Sequence, residues 1–210
     1  MSLLTTWGYT ITDAEKLAPM LTLEDYNLIT ANKYAGDGRI APNIAAASEA
    51  IRNYCGWHVY PSQACSFSER LLTANGRIKQ SGPDIMIQLP AAYVTALHSV
   101  EIDGEAWPFY ALQTNGILRL FDICAGKLSR KTEIVVTYTA GIPGGLMDAI
   151  KELAAHRVTH ALASSAGVQA ESAGGVSVTY SANWINSARS TALADDNKDV
   201  LAAYRLQGVF

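Results

Sequence analysis

The stretch that decides the fold is residues 133–180, which read EIVVTYTAGIPGGLMDAIKELAAHRVTHALASSAGVQAESAGGVSVTY. A β-branched run at residues 134–138 predicts a strand, and a Gly/Pro break at residues 141–145 ends it. The longest amphipathic pattern in the chain follows, with apolar residues recurring every three or four positions: Leu146, Ile150, Leu153, Ala154, Val158, Ala161 and Leu162. This stripe predicts a helix of about 27 Å, long enough to lie across a small sheet.

The segment after this helix has a different composition. Residues 164–191 are rich in Ser, Ala and Gly and contain few large apolar side chains: Val176, Val178, Tyr180, Trp184 and Ile185. Such a segment cannot build a core of its own, so contact with another subunit is one explanation for its large side chains. A last helix is predicted at residues 192–205. Its apolar residues are Val200, Leu201 and Tyr204.

Residues 57–138 change from a helical to an alternating period. The alternating runs predict strands at residues 65–72, 84–89, 94–102, 111–113, 117–121 and 134–138. Asn75-Gly76, Asp103-Gly104 and Asn115-Gly116 favour hairpin turns, because these residues tolerate positive φ. No helix-length crossover separates the strands, which excludes a doubly wound parallel sheet. The sequence predicts an α+β fold, with helices packed on an antiparallel β-meander, a long central helix and extended arms.

Further helices are predicted before the strands. One apolar stripe predicts a helix at residues 43–55: Ile44, Ala47, Ile51, Tyr54 and Cys55. Arg52 lies off this stripe and should face water. Upstream, Thr12 and Thr22 each stand three residues before an acidic residue, as in a capping box, and predict two short helices. Residues 1–37 are therefore expected to form a helical arm.

The composition narrows the function classes. The chain of 210 residues has a net charge of −3 and no basic run that could track phosphates, so sequence-specific DNA binding is not expected. Cys55, Cys65 and Cys124 form no Cys-x-x-Cys pair, which favours a reducing compartment over a disulfide framework or a zinc site. The chain has no signal-peptide pattern and no run of about 18 apolar residues. We expect assembly in the cytoplasm and no membrane partner.

Two patterns resemble known binding sites but lack a required feature or have a simpler explanation. Glu152, His156 and His160 stand four residues apart on the long helix, but the zincin pattern needs a glutamate where Arg157 stands. A partly solvated polar face is the favoured interpretation. The glycines at residues 141–145 precede a helix and can present backbone N–H groups to an anion, yet a strand-to-helix turn explains them better.

A third pattern resembles a calcium loop. Asp195, Asn197 and Asp199 have the spacing of its first oxygen ligands, but Val200 and Leu206 replace the required Gly and Glu. The favoured interpretation is a solvated helix start. No catalytic residue, cofactor or metal is predicted from the sequence, and the chain is not expected to be an enzyme.

The order of these features resembles a known family. The helix GRIAPNIAAASEAIRNYCG at residues 38–56 comes first, then the strand region with residues 94–104, then VVTYTAG at residues 135–141. A long Ala/Leu-rich helix follows, and then GGVSVTY at residues 174–180. Together these segments resemble the head-to-tail connector family of long-tailed bacteriophages, also called adaptor or head-completion proteins. The resemblance covers about residues 38–206.

The resemblance implies a structural virion protein. Such proteins form a ring of about a dozen copies between the portal and a stopper or tail component, and DNA passes through the ring without specific binding. The C-terminal helix and tail are expected to dock on the portal through four residues: Val200, Leu201, Tyr204 and Phe210. Strand addition to a neighbouring subunit is expected to involve five others: Val176, Val178, Tyr180, Trp184 and Ile185. The resemblance implies a connector core at residues 38–163 and an assembly segment at residues 164–210. The arm at residues 1–37 is a departure from the shorter members of the family.

Two alternatives from other classes stay open. The first is a ligand-binding accessory module of a virion, in which Trp107 and Tyr110 contact a ligand such as a glycan. The second is a metal-dependent hydrolase that uses Glu152, His156 and His160.

Overall fold

A computed structural model describes residues 2–70, 77–81, 83–113, 116–121, 123, 131–163, 170–173, 176–179 and 195–206. The helices of these residues are α1 (Leu23–Ile29), α2 (Ile40–Cys55), α3 (Asp148–Ala163) and α4 (Asp195–Ala202). The strands are β1 (Ser2–Leu4), β2 (Thr10–Thr12), β3 (Gln63–Arg70), β4 (Ile78–Ser81), β5 (Asp84–Gln88), β6 (Val94–Ile102), β7 (Glu105–Ala106), β8 (Tyr110–Leu112), β9 (Ile117–Leu120), β10 (Glu133–Ala140), β11 (Ala170–Ala173) and β12 (Val176–Thr179). Within the described ranges, no helix has the length and hydropathy needed to cross a membrane.

The chain forms two compact units. The sheet unit comprises Met1–Ala18, Cys55–Pro143 and Tyr204–Phe210, and the helical unit comprises Pro19–Tyr54 and Gly144–Ala203. Both kinds of secondary structure are present and every strand pair among the described residues is antiparallel, so the predicted α+β class is confirmed at this level.

Strand β10 lies in the middle of the larger sheet. The order of that sheet is β1-β2-β3-β10-β6-β7, and a second sheet has the order β4-β5-β9-β8. Alternate residues of β10 are buried, and they are Ile134, Val136, Tyr138 and Ala140. The strand order differs from a simple meander, because β10 pairs with β3 on one side and β6 on the other. A strand with this β-branched, alternating pattern suits a position where both edges are hydrogen-bonded.

The local turn signals are confirmed where the structure describes them. The strand predicted at residues 94–102 is β6, and Asp103 and Gly104 follow it with φ values of 52° and 83°. They connect β6 to β7 as an antiparallel hairpin. Asn75-Gly76 and Asn115 lie outside the described residues.

The helix predicted from Thr12 is wrong, because the first residues form strands. Ile11 in β2 is fully buried and pairs with Cys65 of β3, and Tyr9 is buried as well. Tyr9 and Ile11 alternate with polar residues, which is the period of a strand. Asp13 then has a φ of 57°, a left-handed conformation that is incompatible with a helical turn at this point.

The capping box predicted at Thr22 is confirmed at the start of α1 in the helical unit. The hydroxyl of Thr22 accepts from the Asp25 backbone N at 3.0 Å, and the Asp25 carboxylate accepts from the Thr22 backbone N at 3.4 Å. Helix α1 packs against α3, where Lys151 Nζ lies 3.1 Å from Asp25 Oδ2. The hydroxyl oxygens of Tyr26 and Thr159 lie 3.2 Å apart at the same contact.

Helix α2 begins three residues before the predicted start, and one expectation for it is wrong. Arg52 is only 3% exposed instead of facing water. A further stretch of chain covers the side of the helix that holds Arg52, and this covering cannot be read from the apolar stripe. The Met20 backbone N donates to Ser48 Oγ at 3.0 Å, and Ser48 lies one turn from Arg52. The covered surface of α2 is therefore wider than its apolar stripe.

Helix α3 confirms most of the predicted stripe, from Ile150 in its first turn onward. Its buried residues include Ile150, Leu153, Ala154, Val158 and Leu162. Leu146, the predicted first member, instead belongs to a short 3-10 turn at Gly144–Leu146 and is 47% exposed. At 16 residues α3 is about 24 Å long.

Candidate functional site

The C-terminal helix, expected to dock on the portal, packs on its own helical unit. It is α4, which ends three residues before the end of the helix predicted at residues 192–205. Tyr54 Oη of α2 donates to the Lys198 backbone oxygen at 3.2 Å. Leu201 is fully buried, whereas Val200 is 44% exposed. In this arrangement Leu201 anchors α4 and Val200 faces outward.

The residues that follow α4 are held within the sheet unit. Trp57, fully buried, donates from its Nε1 to the Tyr204 backbone oxygen at 2.7 Å. The Leu206 backbone N donates to the Cys55 backbone oxygen at 2.8 Å. Tyr204 is half-buried. Phe210, the last residue predicted to contact the portal, lies outside the described residues.

The segment predicted to join a neighbouring subunit forms a hairpin. Strand β11 pairs with β12, with Ala173 opposite Val176 and Glu171 opposite Val178. Among the described strands, these two pair only with each other. An isolated two-stranded sheet is marginally stable in water, so this hairpin depends on contacts beyond its own hydrogen bonds. Tyr180, Trp184 and Ile185 lie outside the described residues.

Two of the three residues considered as a metal site, His156 and His160, are brought together on α3. The Nε2 atoms of His156 and His160 lie 3.2 Å apart, and their ring centroids are 4.3 Å apart. Burial lowers the pKa of His160, and the nearby His156 lowers it further. Glu152 does not complete the group, since no cluster of three His, Cys, Asp or Glu side chains suited to a metal occurs in the part of the chain that is described. The pair therefore lacks the third protein ligand typical of a catalytic zinc site.

The other weak patterns take structural roles where they are described. Gly141 has a φ of 146°, and a Cβ there would lie 2.4 Å from Ser62 Cα. The glycine is thus required by close packing of the backbone. Residues Asp195 to Asp199 form the first turns of α4 rather than a calcium loop.

The aromatic pair considered for ligand binding has an additional member. Trp107 and Phe109 make an edge-to-face contact with ring centroids 5.9 Å apart, and Phe109 is 55% exposed. Trp107 Nε1 is buried and has no hydrogen-bond partner among the described residues. Tyr110 is half-buried at the start of β8. Phe109 was not predicted from the sequence. Its position two residues after Trp107 could have indicated that the two rings lie close together.

An exposed apolar surface on α1 was also missed. Leu28 is 81% exposed and Leu23 is 51% exposed. They border a shallow hollow of 540 Å³ together with Glu24, Asn27 and Asn32. Because α1 has only seven residues, its apolar spacing was too short to show which side would be covered.

Comparison with known proteins gives one family match. The family model described as Head completion protein matches residues 19–204, which is most of the chain. A search of curated proteins found no match.

Proposed function

Because the chain belongs to the family of head completion proteins, structural virion proteins of the phage head–tail connection, we propose that it forms a homo-oligomeric ring in the phage neck. The ring has about a dozen copies, lies between the portal and a stopper or tail component, and extends the channel for DNA. It assembles in the host cytoplasm and has no catalytic role.

The observation that carries this proposal is the hairpin of β11 and β12. It forms a separate two-stranded sheet within a unit whose other described regular elements are helical. A ring needs contacts between different patches of identical subunits, and an extended hairpin supplies one by adding to a neighbour's sheet edge. We assign this contact to the assembly segment, with five residues at the interface: Val176, Val178, Tyr180, Trp184 and Ile185.

The portal contact is assigned to α4 and the residues after it. Val200 offers an exposed apolar side chain, and Tyr204 is half-buried. Leu201 contributes indirectly, since it is buried and holds α4 in place. Phe210 completes the predicted contact. The net charge of −3 suits a conduit that does not retain the DNA passing through it.

Projection images and native mass measurement of the full chain test this function. The wild type is expected to form rings with a central hole. Val178→Asp places a charge in the proposed subunit contact and should leave monomers at the same protein concentration. Val200→Asp is the matched control, because it should preserve the rings and weaken binding to the portal. A wild type that stays monomeric with and without the portal would contradict the proposal, as would intact rings of Val178→Asp.

A second function, ligand binding by Trp107 and Tyr110 together with Phe109, is favoured by one observation. The exposed ring of Phe109 beside Trp107 forms a surface on which a ligand with one apolar face, such as a sugar ring, can stack. Trp107→Ala should abolish binding to a glycan array while the rings still form. Equal glycan binding by the wild type and Trp107→Ala would eliminate this candidate.

A further inference from the structure

The two histidines of α3 are arranged as a pair of ligands. His156 and His160 stand one turn apart on the same helix, so their side chains project side by side. Their Nε2 atoms approach to 3.2 Å, which makes one imidazole the hydrogen-bond donor and the other the acceptor. Both rings therefore bring the same nitrogen, Nε2, to one place beside α3.

The separation of these nitrogens fits a single metal ion. Zn–N bonds to histidine are about 2.0–2.1 Å, so two imidazole nitrogens on one ion lie about 2.9 Å apart at a right angle and about 3.3 Å apart at a tetrahedral angle. The observed 3.2 Å falls within this interval. We propose that His156 and His160 form a bidentate surface site for a divalent late transition metal such as Zn²⁺, Ni²⁺ or Cu²⁺.

The position of the pair on the helix also favours a cation. His160 lies in the last turn of α3, where the helix dipole stabilises a positive charge. A metal binds the unprotonated nitrogen of each imidazole, so the hydrogen bond between the two Nε2 atoms is replaced by two bonds to the ion.

The site is expected to be weaker than a structural zinc site. With two protein ligands, water completes the coordination shell, and the ion joins two turns of a helix without acting as a catalyst. Nitrogen ligands should favour Cu²⁺ and exclude Mg²⁺ and Ca²⁺, which prefer oxygen. This inference is independent of the proposed ring.

Equilibrium titration of the full chain, free of any affinity tag, with Ni²⁺ tests the site. The wild type should bind one ion per chain. His156→Ala and His160→Ala should each weaken binding by about tenfold or more, since loss of a residue that merely supports a metal ligand already costs about 10–100-fold. His98→Ala is the matched control, because His98 is an exposed histidine on β6 and should leave binding unchanged.

A rescue variant separates metal chelation from a general effect on the helix. Glu152→His combined with His160→Ala moves the pair one turn back, to positions 152 and 156, and should restore Ni²⁺ binding. Arg157→His combined with His160→Ala places two histidines side by side in sequence, on different faces, and should not restore it. The proposal is overturned if the wild type fails to bind Ni²⁺, if His156→Ala binds with wild-type affinity, or if both double variants bind equally.

Discussion

Tyr9 and His58 satisfy each other's polar groups in the core of the sheet unit. Tyr9 Oη lies 2.6 Å from His58 Nδ1 and accepts from the His58 backbone N at 3.0 Å. His58 Nε2 lies 2.9 Å from the Ala140 backbone oxygen, which can only accept. Nε2 therefore carries the proton, and Tyr9 donates to Nδ1. This arrangement ties the N-terminal strands to the end of β10.

Tyr9→Phe should destabilise the sheet unit. The change removes one hydroxyl and leaves two buried groups of His58, its Nδ1 and its backbone N–H, without that partner. A buried unsatisfied group costs about 1–3 kcal/mol, so a loss of about 2–3 kcal/mol in the free energy of unfolding is expected. Urea denaturation measures it, and an unchanged midpoint would contradict a stabilising role for these hydrogen bonds.

Tyr138→Phe, unlike Tyr9→Phe, should not lower the free energy of unfolding. The hydroxyl of Tyr138 is buried in the same unit and has no hydrogen-bond partner among the described residues. Burial raises the pKa of this phenol well above its ordinary value, and nearby Cys65 and Tyr9 add to the effect. Removing an unpaired buried hydroxyl should leave stability unchanged or raise it by about 1 kcal/mol. A destabilisation as large as that of Tyr9→Phe would contradict this.

Acid should weaken the contact of α1 with α3. Burial raises the pKa of Asp25, but the hydrogen bonds from Lys151 and Thr22 outweigh it and lower the pKa below 3.8. The folded state thus binds fewer protons than the unfolded state, and the stabilisation is present above pH 3.8 and is lost as the pH falls through the lowered pKa. It should be less than about 1 kcal/mol, since both side chains are partly exposed. Asp25→Asn should remove this pH dependence in acid titrations of helical content.

The thiols of Cys55 and Cys65 should be inert in the folded protein. Burial raises the pKa of each to about 12, whereas the thiolate is the reactive form. In a Cys124→Ser background, modification by a thiol reagent at pH 8 should be roughly a thousandfold slower than for a free cysteine. Addition of denaturant should expose two fast-reacting thiols, and rapid reaction without denaturant would contradict their burial.

Gly141→Ala should be strongly destabilising. The new Cβ would lie 2.4 Å from Ser62 Cα, and the φ of 146° is one that alanine rarely adopts. Neither the clash nor the strain can be relieved by a side-chain rotation, so a loss of about 3 kcal/mol or more is expected. Gly144→Ala is the matched control, since a Cβ there meets nothing within 4 Å and stability should be nearly unchanged. Similar melting temperatures for the two variants would contradict this account.

The sequence predicted what depends on neighbouring residues. The capping box at Thr22 and the turn at Asp103-Gly104 need only a few residues, and both are confirmed. The error at Thr12 arose because Ile11 pairs with Cys65, which is distant in sequence. Arg52 was misplaced for a similar reason, since the burial of a helix flank depends on the chain that covers it.

In the candidate sites, too, the sequence predicted local spacing but not tertiary contacts. The four-residue spacing of His156 and His160 was visible in the sequence, but the 3.2 Å between their nitrogens depends on rotamers. Likewise, the apolar character of Leu201 was evident, whereas its burial depends on tertiary packing. Periodicity identifies which residues are apolar and cannot decide whether a neighbouring element or solvent meets them.

The hydrogen bond from Trp57 to Tyr204 also affects when the sheet unit can be completed during synthesis of the chain. It joins residues 147 positions apart. At synthesis rates of about 5–20 residues per second, roughly 7–30 s pass between the emergence of Trp57 and that of its partner. During this interval the sheet unit lacks one of its closing contacts. A nascent chain therefore completes this unit only after α4 has been made, so the sheet unit gains its last closing contact near the end of synthesis.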